Sequence, residues 1–206
     1  DKAVHPINLY GATKMTAERL FIQGNVYAGK QKTFFSVCRY GNVLGSRGSV
    51  VPLFLKQKKS GTLTITHKDM TRFWITLPQA AEFVWTALQE MRGGEIFVPK
   101  LPSIKITDLA KAIAPNAKIK IAGIRPGEKL HEELIMEEES ERCKEFKDYY
   151  QLIPLTPHWT EKQLNYRKYM KDLKHKKFSY KSDTNKQWLT PELIKKEVDK
   201  FTADTA

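Results

Sequence analysis

An α/β fold is predicted by three observations: apolar runs of strand length, stretches with apolar residues at helical spacing, and the alternation of the two along 206 residues. That length accommodates one sizeable domain, or one and a half. A hydrophobic content of 41% and an aromatic content of 11% support a packed core and exclude wholesale disorder.

Residues 8–29 read as a helix, because Leu9, Ala12, Thr13, Thr16, Ala17, Leu20 and Phe21 recur at helical spacing. Gly24, Asn25 and Gly29 mark its end. Residues 33–40 are an apolar, aromatic run of strand length, as in a sheet covered on both faces. Gly41, Gly45 and Gly48 make a loop, and residues 50–59 a short helix with Pro52 near its start. Strands at 63–66 and 72–76 flank a turn at Lys68-Asp69. Residues 77–91 are a strong helix, with Pro78 in its first turn and Gly93-Gly94 beyond its end. A strand follows at 95–98, and Thr107 and Asp108 can cap a helix running to Ala114. Residues 118–121 alternate Lys with Ile, as a half-exposed strand does. A charged stretch at 137–147 precedes a strand at 149–153, and Thr190-Pro191-Glu192 opens the last helix. Met15, Leu20, Phe34, Phe35, Phe83, Val84, Trp85 and Leu88 are expected in the core. The second half reads as a smaller mixed α/β lobe.

No run of about 18 apolar residues is present, so no membrane span is expected. The first residues lack the apolar region of a secretion leader. With no initiator Met and a motif at residue 1, the natural N-terminus is expected upstream. Cys38 and Cys143 form no CxxC pair, and Cys38 reads as a small core hydrophobe in a reducing, cytoplasmic setting. The five histidines have no ligand-spaced partners, and no metal is expected. A net charge of +12 suits an anionic partner. Much of the excess lies at residues 167–177 and reads as a solvated basic segment. Without zinc-finger spacing or an RNA-binding aromatic signature, nucleic acid is not the expected partner.

Tyr10 and Lys14 form a YxxxK pair, placed by the i, i+4 spacing on one helix face. Such a pair serves hydride transfer at a sugar carbon: a tyrosinate takes the hydroxyl proton, and a nearby ammonium favours the tyrosinate and can hold a cofactor ribose. Eight tyrosines in a lysine-rich chain give roughly one such pair by chance, so its surroundings decide.

Asp1-Lys2-Ala3-Val4-His5-Pro6-Ile7-Asn8-Leu9-Tyr10-Gly11-Ala12-Thr13-Lys14 resembles, nearly letter for letter, the (S/T)DKAxxPxNLYGATK block of inverting UDP-N-acetylglucosamine 4,6-dehydratases. Arg39-Tyr40-Gly41-Asn42-Val43-Leu44-Gly45-Ser46-Arg47-Gly48-Ser49-Val50-Val51-Pro52 resembles the same family's RYGNVxGSRGSVVP loop. Met70-Thr71-Arg72-Phe73-Trp74-Ile75, Gly123-Ile124-Arg125-Pro126-Gly127-Glu128-Lys129-Leu130-His131-Glu132 and the stretch from Phe178 to Leu189 are similar to three further blocks, in order.

The resemblance implies the C-terminal part of an extended short-chain dehydrogenase/reductase of Rossmann type. Residues 1–60 would complete the NAD(P)-binding domain, and residues 61–206 would be mainly the nucleotide-sugar-binding lobe, with some segments returning to the first domain. It implies a UDP-sugar substrate, NADP or NAD as cofactor, a homo-oligomer, and a place in polysaccharide or flagellin-glycan biosynthesis, including the route to pseudaminic acid. Tyr10 would be the base at the C4 hydroxyl and Lys14 its tuner and ribose anchor. Asp1 would be the acid toward the C6 oxygen and Lys2 the base at C5, where related retaining enzymes carry Asp-Glu. Asn42 and Val43 would touch the diphosphate and the nicotinamide end. Gly48, Ser49, Val50, Val51 and Pro52 would offer backbone N–H groups to phosphate at a helix start. Arg72, Arg125 and Glu128 would grip the UDP group, with Thr64 beside them. His5 is given no role. Because GxGxxG is absent, the chain alone is expected to bind NADP weakly and to be inactive. A 4-epimerase and a non-catalytic nucleotide-sugar-binding module are the alternatives. Epimerases commonly carry Ser or Thr near the position of Asp1-Lys2.

Overall fold

The computed structural model describes residues 1–29, 31–154, 173 and 177–204. The basic segment expected at residues 167–177 therefore lies outside the described residues, apart from Leu173 and Lys177. In chain order the elements are α1 (Leu9–Ala28), β1 (Val37–Cys38), β2 (Asn42–Val43), α2 (Val50–Lys58), β3 (Thr62–Ile65), β4 (Thr71–Ile75), α3 (Leu77–Glu90) and β5 (Ile96–Pro99). There follow β6 (Ser103–Lys105), α4 (Ile106–Ile113), β7 (Lys118–Ile121), β8 (Glu133–Ile135), a 3-10 helix (Glu137–Arg142), β9 (Cys143–Glu145), β10 (Tyr149–Leu152), β11 (Tyr180–Lys181) and α5 (Pro191–Asp204).

The chain forms two compact units. The first comprises Asp1–Tyr40, Gln79–Lys100 and Glu133–Tyr180. Its sheet has the order β1-β5-β10-β9. Strand β1 runs parallel to β5, with Val37 opposite Ile96, whereas β10 runs antiparallel to β5 from Tyr149↔Pro99 to Leu152↔Ile96. Ile96, Phe97, Val98 and Leu152 have no solvent exposure, so the central pair is covered on both faces.

The expected strand at 33–40 shortens to two residues for a local reason. The Asn25 side chain accepts from the Phe35 N–H and donates to its carbonyl, both at 2.9 Å, so an amide from α1 occupies the edge that a neighbouring strand would take.

The second unit comprises Gly41–Pro78, Leu101–Glu132 and Lys181–Ala206. Strand β4 lies between β2, parallel to it, and β6, antiparallel to it, and β3 pairs in parallel with β7. Val51 and Phe54 of α2, Leu63 and Ile65 of β3, Leu109 and Ile113 of α4, and Ile194 and Val198 of α5 form one apolar core with Trp74. The Trp74 indole N–H donates to Glu197, which satisfies the one polar atom that this ring buries.

Two expectations are corrected here. Met15, Leu20, Phe34, Val84, Trp85 and Leu88 are exposed rather than in the core. Apolar periodicity identifies a helix face and not what covers it, and only Gly11 and Glu18 are buried on α1. All four residues of β7 are exposed, not alternate ones, because β7 is an edge strand paired only with β3. The charged stretch beyond Met136 also holds regular structure, the 3-10 helix and β9.

Candidate active site

In the first unit, Asn8 caps α1 by accepting from the Gly11 N–H at 2.7 Å. Between the cap and Gly11 stands the candidate base Tyr10, which is 60% exposed. Lys14, one turn on, holds its ammonium 5.4 Å from the centroid of the Tyr10 ring. The expected pair is therefore presented outward on one stripe of α1.

Asp1 and Lys2 lie just before that helix. Lys2 Nζ donates to Asp1 Oδ1 at 2.8 Å, with the Asp1 side chain 7% exposed and that of Lys2 41% exposed. Val4 is fully buried beneath them, and the Asp1 backbone nitrogen donates to the Tyr40 carbonyl at 3.2 Å. Gly11 joins this loop to the helix, since a Cβ there would stand 2.8 Å from the Lys2 carbonyl oxygen and 2.9 Å from Pro6 Cβ. Glycine permits that approach, and it brings the backbone of Lys2 against the turn that carries Tyr10. His5, given no role by sequence, adopts a left-handed φ of 40° and its Nδ1 lies 2.5 Å from Glu133 Oε2. That contact fastens the middle of the same loop to β8.

The remaining candidates fall in the second unit. A Cβ at Gly41 would overlap Phe73 Cβ at 2.4 Å, so glycine lets β2 lie against β4 with Asn42 opposite Trp74. Asn42 Oδ1 and Ser49 Oγ are buried without a hydrogen-bond partner among the described residues. Ser49 precedes α2 in extended conformation and makes no side-chain cap bond, so its hydroxyl and the N–H groups of Val50 and Val51 at the helix start are uncommitted by capping. Gly48 supplies the positive φ of 73° before it, and Pro52 sits in the first turn. Thr64 donates its N–H to Gln57 Oε1 at 3.0 Å, and no contact ties it to the arginines.

Arg72 and Glu128 do come together, Nη2 lying 4.0 Å from Oε1, and Arg125 donates its N–H to Glu128 Oε2 at 3.1 Å. The Arg72 guanidinium is largely committed within the chain. It donates to the carbonyls of Thr71, Leu130 and Lys129 at 2.7, 3.0 and 2.9 Å, and its Nε lies 3.7 Å from Glu132 Oε1. Burial lowers its pKa from the ordinary arginine value, and Glu132 and Glu128 oppose that shift. Arg125 is exposed.

Ser182, Thr71 and His131 complete this cluster without having been assigned a part from sequence. The Thr71 hydroxyl lies 2.8 Å from His131 Nδ1 and 2.7 Å from the Ser182 hydroxyl. Ser182 in turn accepts from the Glu132 N–H at 2.9 Å and donates its own N–H to the Glu132 carbonyl at 2.8 Å. The blocks around Arg72, Glu128 and Ser182 are thus one hydrogen-bonded assembly. Among the described residues, no group of His, Cys, Asp and Glu could hold a metal ion, and no helix is long and apolar enough to cross a membrane.

The model of the polysaccharide biosynthesis protein family matches residues 1–154. The chain belongs to that family. It is 49% identical over 193 residues to the UDP-N-acetylglucosamine 4,6-dehydratase (inverting) of Campylobacter jejuni, covering 91% of this chain and 58% of that protein. It is 41% identical to the UDP-glucose 4-epimerase of Rickettsia canadensis, over 82% of this chain and 50% of that one. The solved structure of Pen from Bacillus thuringiensis superimposes with a TM-score of 0.80 at 34% identity, over 96% of this chain and 59% of that one. The chain thus spans between 50% and 58% of the length of these two curated relatives. The fold is α/β, as the sequence predicts, and the solved structure of Pen shares it.

Proposed function

We propose that the protein carrying this chain is an inverting UDP-N-acetylglucosamine 4,6-dehydratase, a lyase, in surface-polysaccharide or flagellin-glycan biosynthesis. The observation that carries the reading is the pairing of Lys2 Nζ with Asp1 Oδ1 at 2.8 Å in a loop packed on Gly11, beside Tyr10 and Lys14. A 4-epimerase needs only the tyrosine and lysine, because it moves one hydride and one hydroxyl proton. Dehydration needs a further base at C5 and an acid at C6, and Asp1-Lys2 supplies both types of group within one loop.

The residues present fit a nicotinamide cofactor at its ribose end: Tyr10 and Lys14 are exposed along one stripe of α1. When bound, that cofactor, NADP or NAD, supplies hydride uptake from C4 and hydride return to C6. Tyr10 takes the C4 hydroxyl proton, and Lys14 stabilises the phenolate charge. Once C4 is a ketone, the C5 proton is acidic; Lys2 would take it and Asp1 would give a proton to the C6 oxygen, so that water leaves and a C5=C6 double bond forms. After hydride is returned to C6, a solvent-exchanged proton would be delivered to C5. The second unit offers the nucleotide end Arg125, Glu128 and the N–H groups at residues 48–52, with Arg72 bracing the loop that bears Glu128. We place the enzyme in the cytoplasm as a homo-oligomer; Cys38 and Cys143, which form no disulfide, suit a reducing compartment.

The test is product identification from the complete chain with UDP-N-acetylglucosamine and NADP. A 6-deoxy-4-keto product is expected, and conversion to UDP-N-acetylgalactosamine alone would overturn the assignment in favour of an epimerase.

A further inference from the structure

Helix α1, which presents Tyr10 and Lys14, buries two residues, Gly11 and Glu18, and is tied near its C-terminal end by the Asn25 side chain to Phe35. Glu18 stands one turn beyond Lys14 and two beyond Tyr10, turned by about 80° from Tyr10 onto the buried face that it shares with Gly11. Its carboxylate accepts from Arg39 Nε and Nη2 at 2.7 and 2.6 Å. The same guanidinium donates from Nη1 and Nη2 to Glu139 at 2.6 and 2.8 Å, and from Nη1 to the Leu134 carbonyl at 3.0 Å. Those contacts engage every N–H that an arginine possesses. Glu18, Arg39 and Glu139 are all at most 5% exposed. Around them Glu139 also accepts from the Met136 N–H and from Arg142, whose other amino group donates to the Ile153 carbonyl, and Arg19 lies 3.8 Å from Glu139.

We propose that Arg39, held between Glu18 and Glu139, is the positioning residue that fixes the rotation and height of the catalytic helix. The proposal rests on the dehydratase reading for the role of Tyr10. Buried charges are an expensive way to obtain stability, and an apolar set of similar volume commonly stabilises as well or better. What a two-sided planar fork gives instead is one permitted geometry. Gly11 carries no side chain, so Glu18 is the one buried side chain of α1, and its bonds to Arg39 are the charged tie between the first half of the helix and the rest of the unit. Misplacement of a reacting group by about 1 Å costs on the order of 100-fold in rate, and Tyr10 lies on the segment that would shift.

The experiment compares the complete chain with Arg39→Lys, which keeps the charge but not the fork, and with the triple variant Glu18→Leu, Arg39→Met, Glu139→Met. Thermal melting, UDP-N-acetylglucosamine binding, kcat, KM and the pH profile of kcat are read for each. The expected result is two folded proteins that bind the UDP-sugar within about twofold of the parent, while kcat falls on the order of 10- to 100-fold. The triple variant should melt at or above the parent's temperature. A folded variant of either kind with the parent's kcat and pH profile would overturn the proposal and leave the network a stability feature. Should the triple variant fail to fold, Arg39→Lys alone decides. If the parent makes an epimer rather than a dehydrated sugar, the activity reading fails, and the same comparison on the epimerisation rate still judges the positioning role.

Discussion

Gly11 is the residue on which the catalytic block closes, because its missing Cβ is what lets the Lys2 carbonyl and Pro6 meet the first turn of α1. Gly11→Ala is expected to push the Asp1-Lys2 loop off the helix and to reduce kcat more than it reduces UDP-sugar affinity, checked by steady-state kinetics beside a binding titration. Tyr10→Phe keeps the ring but removes the proton acceptor, and should lower kcat by roughly 100- to 10,000-fold with binding retained. Glu139 carries a pH signature. Burial pushes its carboxyl upward, but the hydrogen bond and charge of Arg39 outweigh that and hold it below the ordinary 4.5. A carboxyl depressed by folding stabilises the native state at neutral pH and loses that contribution as the pH falls through its folded value. Melting temperature should therefore decline below about pH 5, and Glu139→Gln should flatten that decline. The Cys38 thiol is pushed up to about 11 by burial, so alkylating reagents at neutral pH should modify it slowly. In the sequence, Tyr10, Lys14, Asp1 and Lys2 were legible because they are neighbours along the chain. Arg39, Glu18 and Glu139 were not: the first two are 21 residues apart and the first and last 100, so no spacing rule connects them.

At the scale of elements, the sequence pattern found α1, α2 and α3 within a residue or two at both ends and the start of α5, since each has a proline, asparagine or glycine near a boundary. It overran β1, because the apolar run at 33–36 is bonded to the Asn25 side chain instead of to a strand. It missed β6 and β8, three residues each, whose place is fixed by partners distant in sequence. Helix α2 and β3 share one core, in which Phe54 and Leu63 have no exposure. Phe54→Ala should cost about 3–5 kcal/mol, measured by denaturant unfolding. The Ser182 clasp belongs to the same unit. Ser182→Ala leaves the Thr71 hydroxyl and the Glu132 N–H short of a partner and should destabilise by about 1–3 kcal/mol. Because that assembly carries Arg72 and Glu128, its effect on activity should appear in KM for the UDP-sugar before kcat.

For the whole molecule, membership of the polysaccharide biosynthesis protein family rests on residues 1–154, and the expected nucleotide-sugar chemistry divides between two units. The first contains Asp1, Lys2, Tyr10 and Lys14, proposed as proton donors and acceptors, and the second contains Arg72, Arg125, Glu128 and the start of α2, proposed for the nucleotide end. The central claim is that Lys2 is the base at C5, next to a tyrosine that works at C4. Its most direct test is solvent deuterium at C5 during turnover of UDP-N-acetylglucosamine by the complete chain in deuterated water, for the parent and for Lys2→Ala. The account predicts deuterium at C5 of a 6-deoxy-4-keto product from the parent, and neither product nor C5 exchange from the variant. Product formation with C5 labelling undiminished in Lys2→Ala would contradict it.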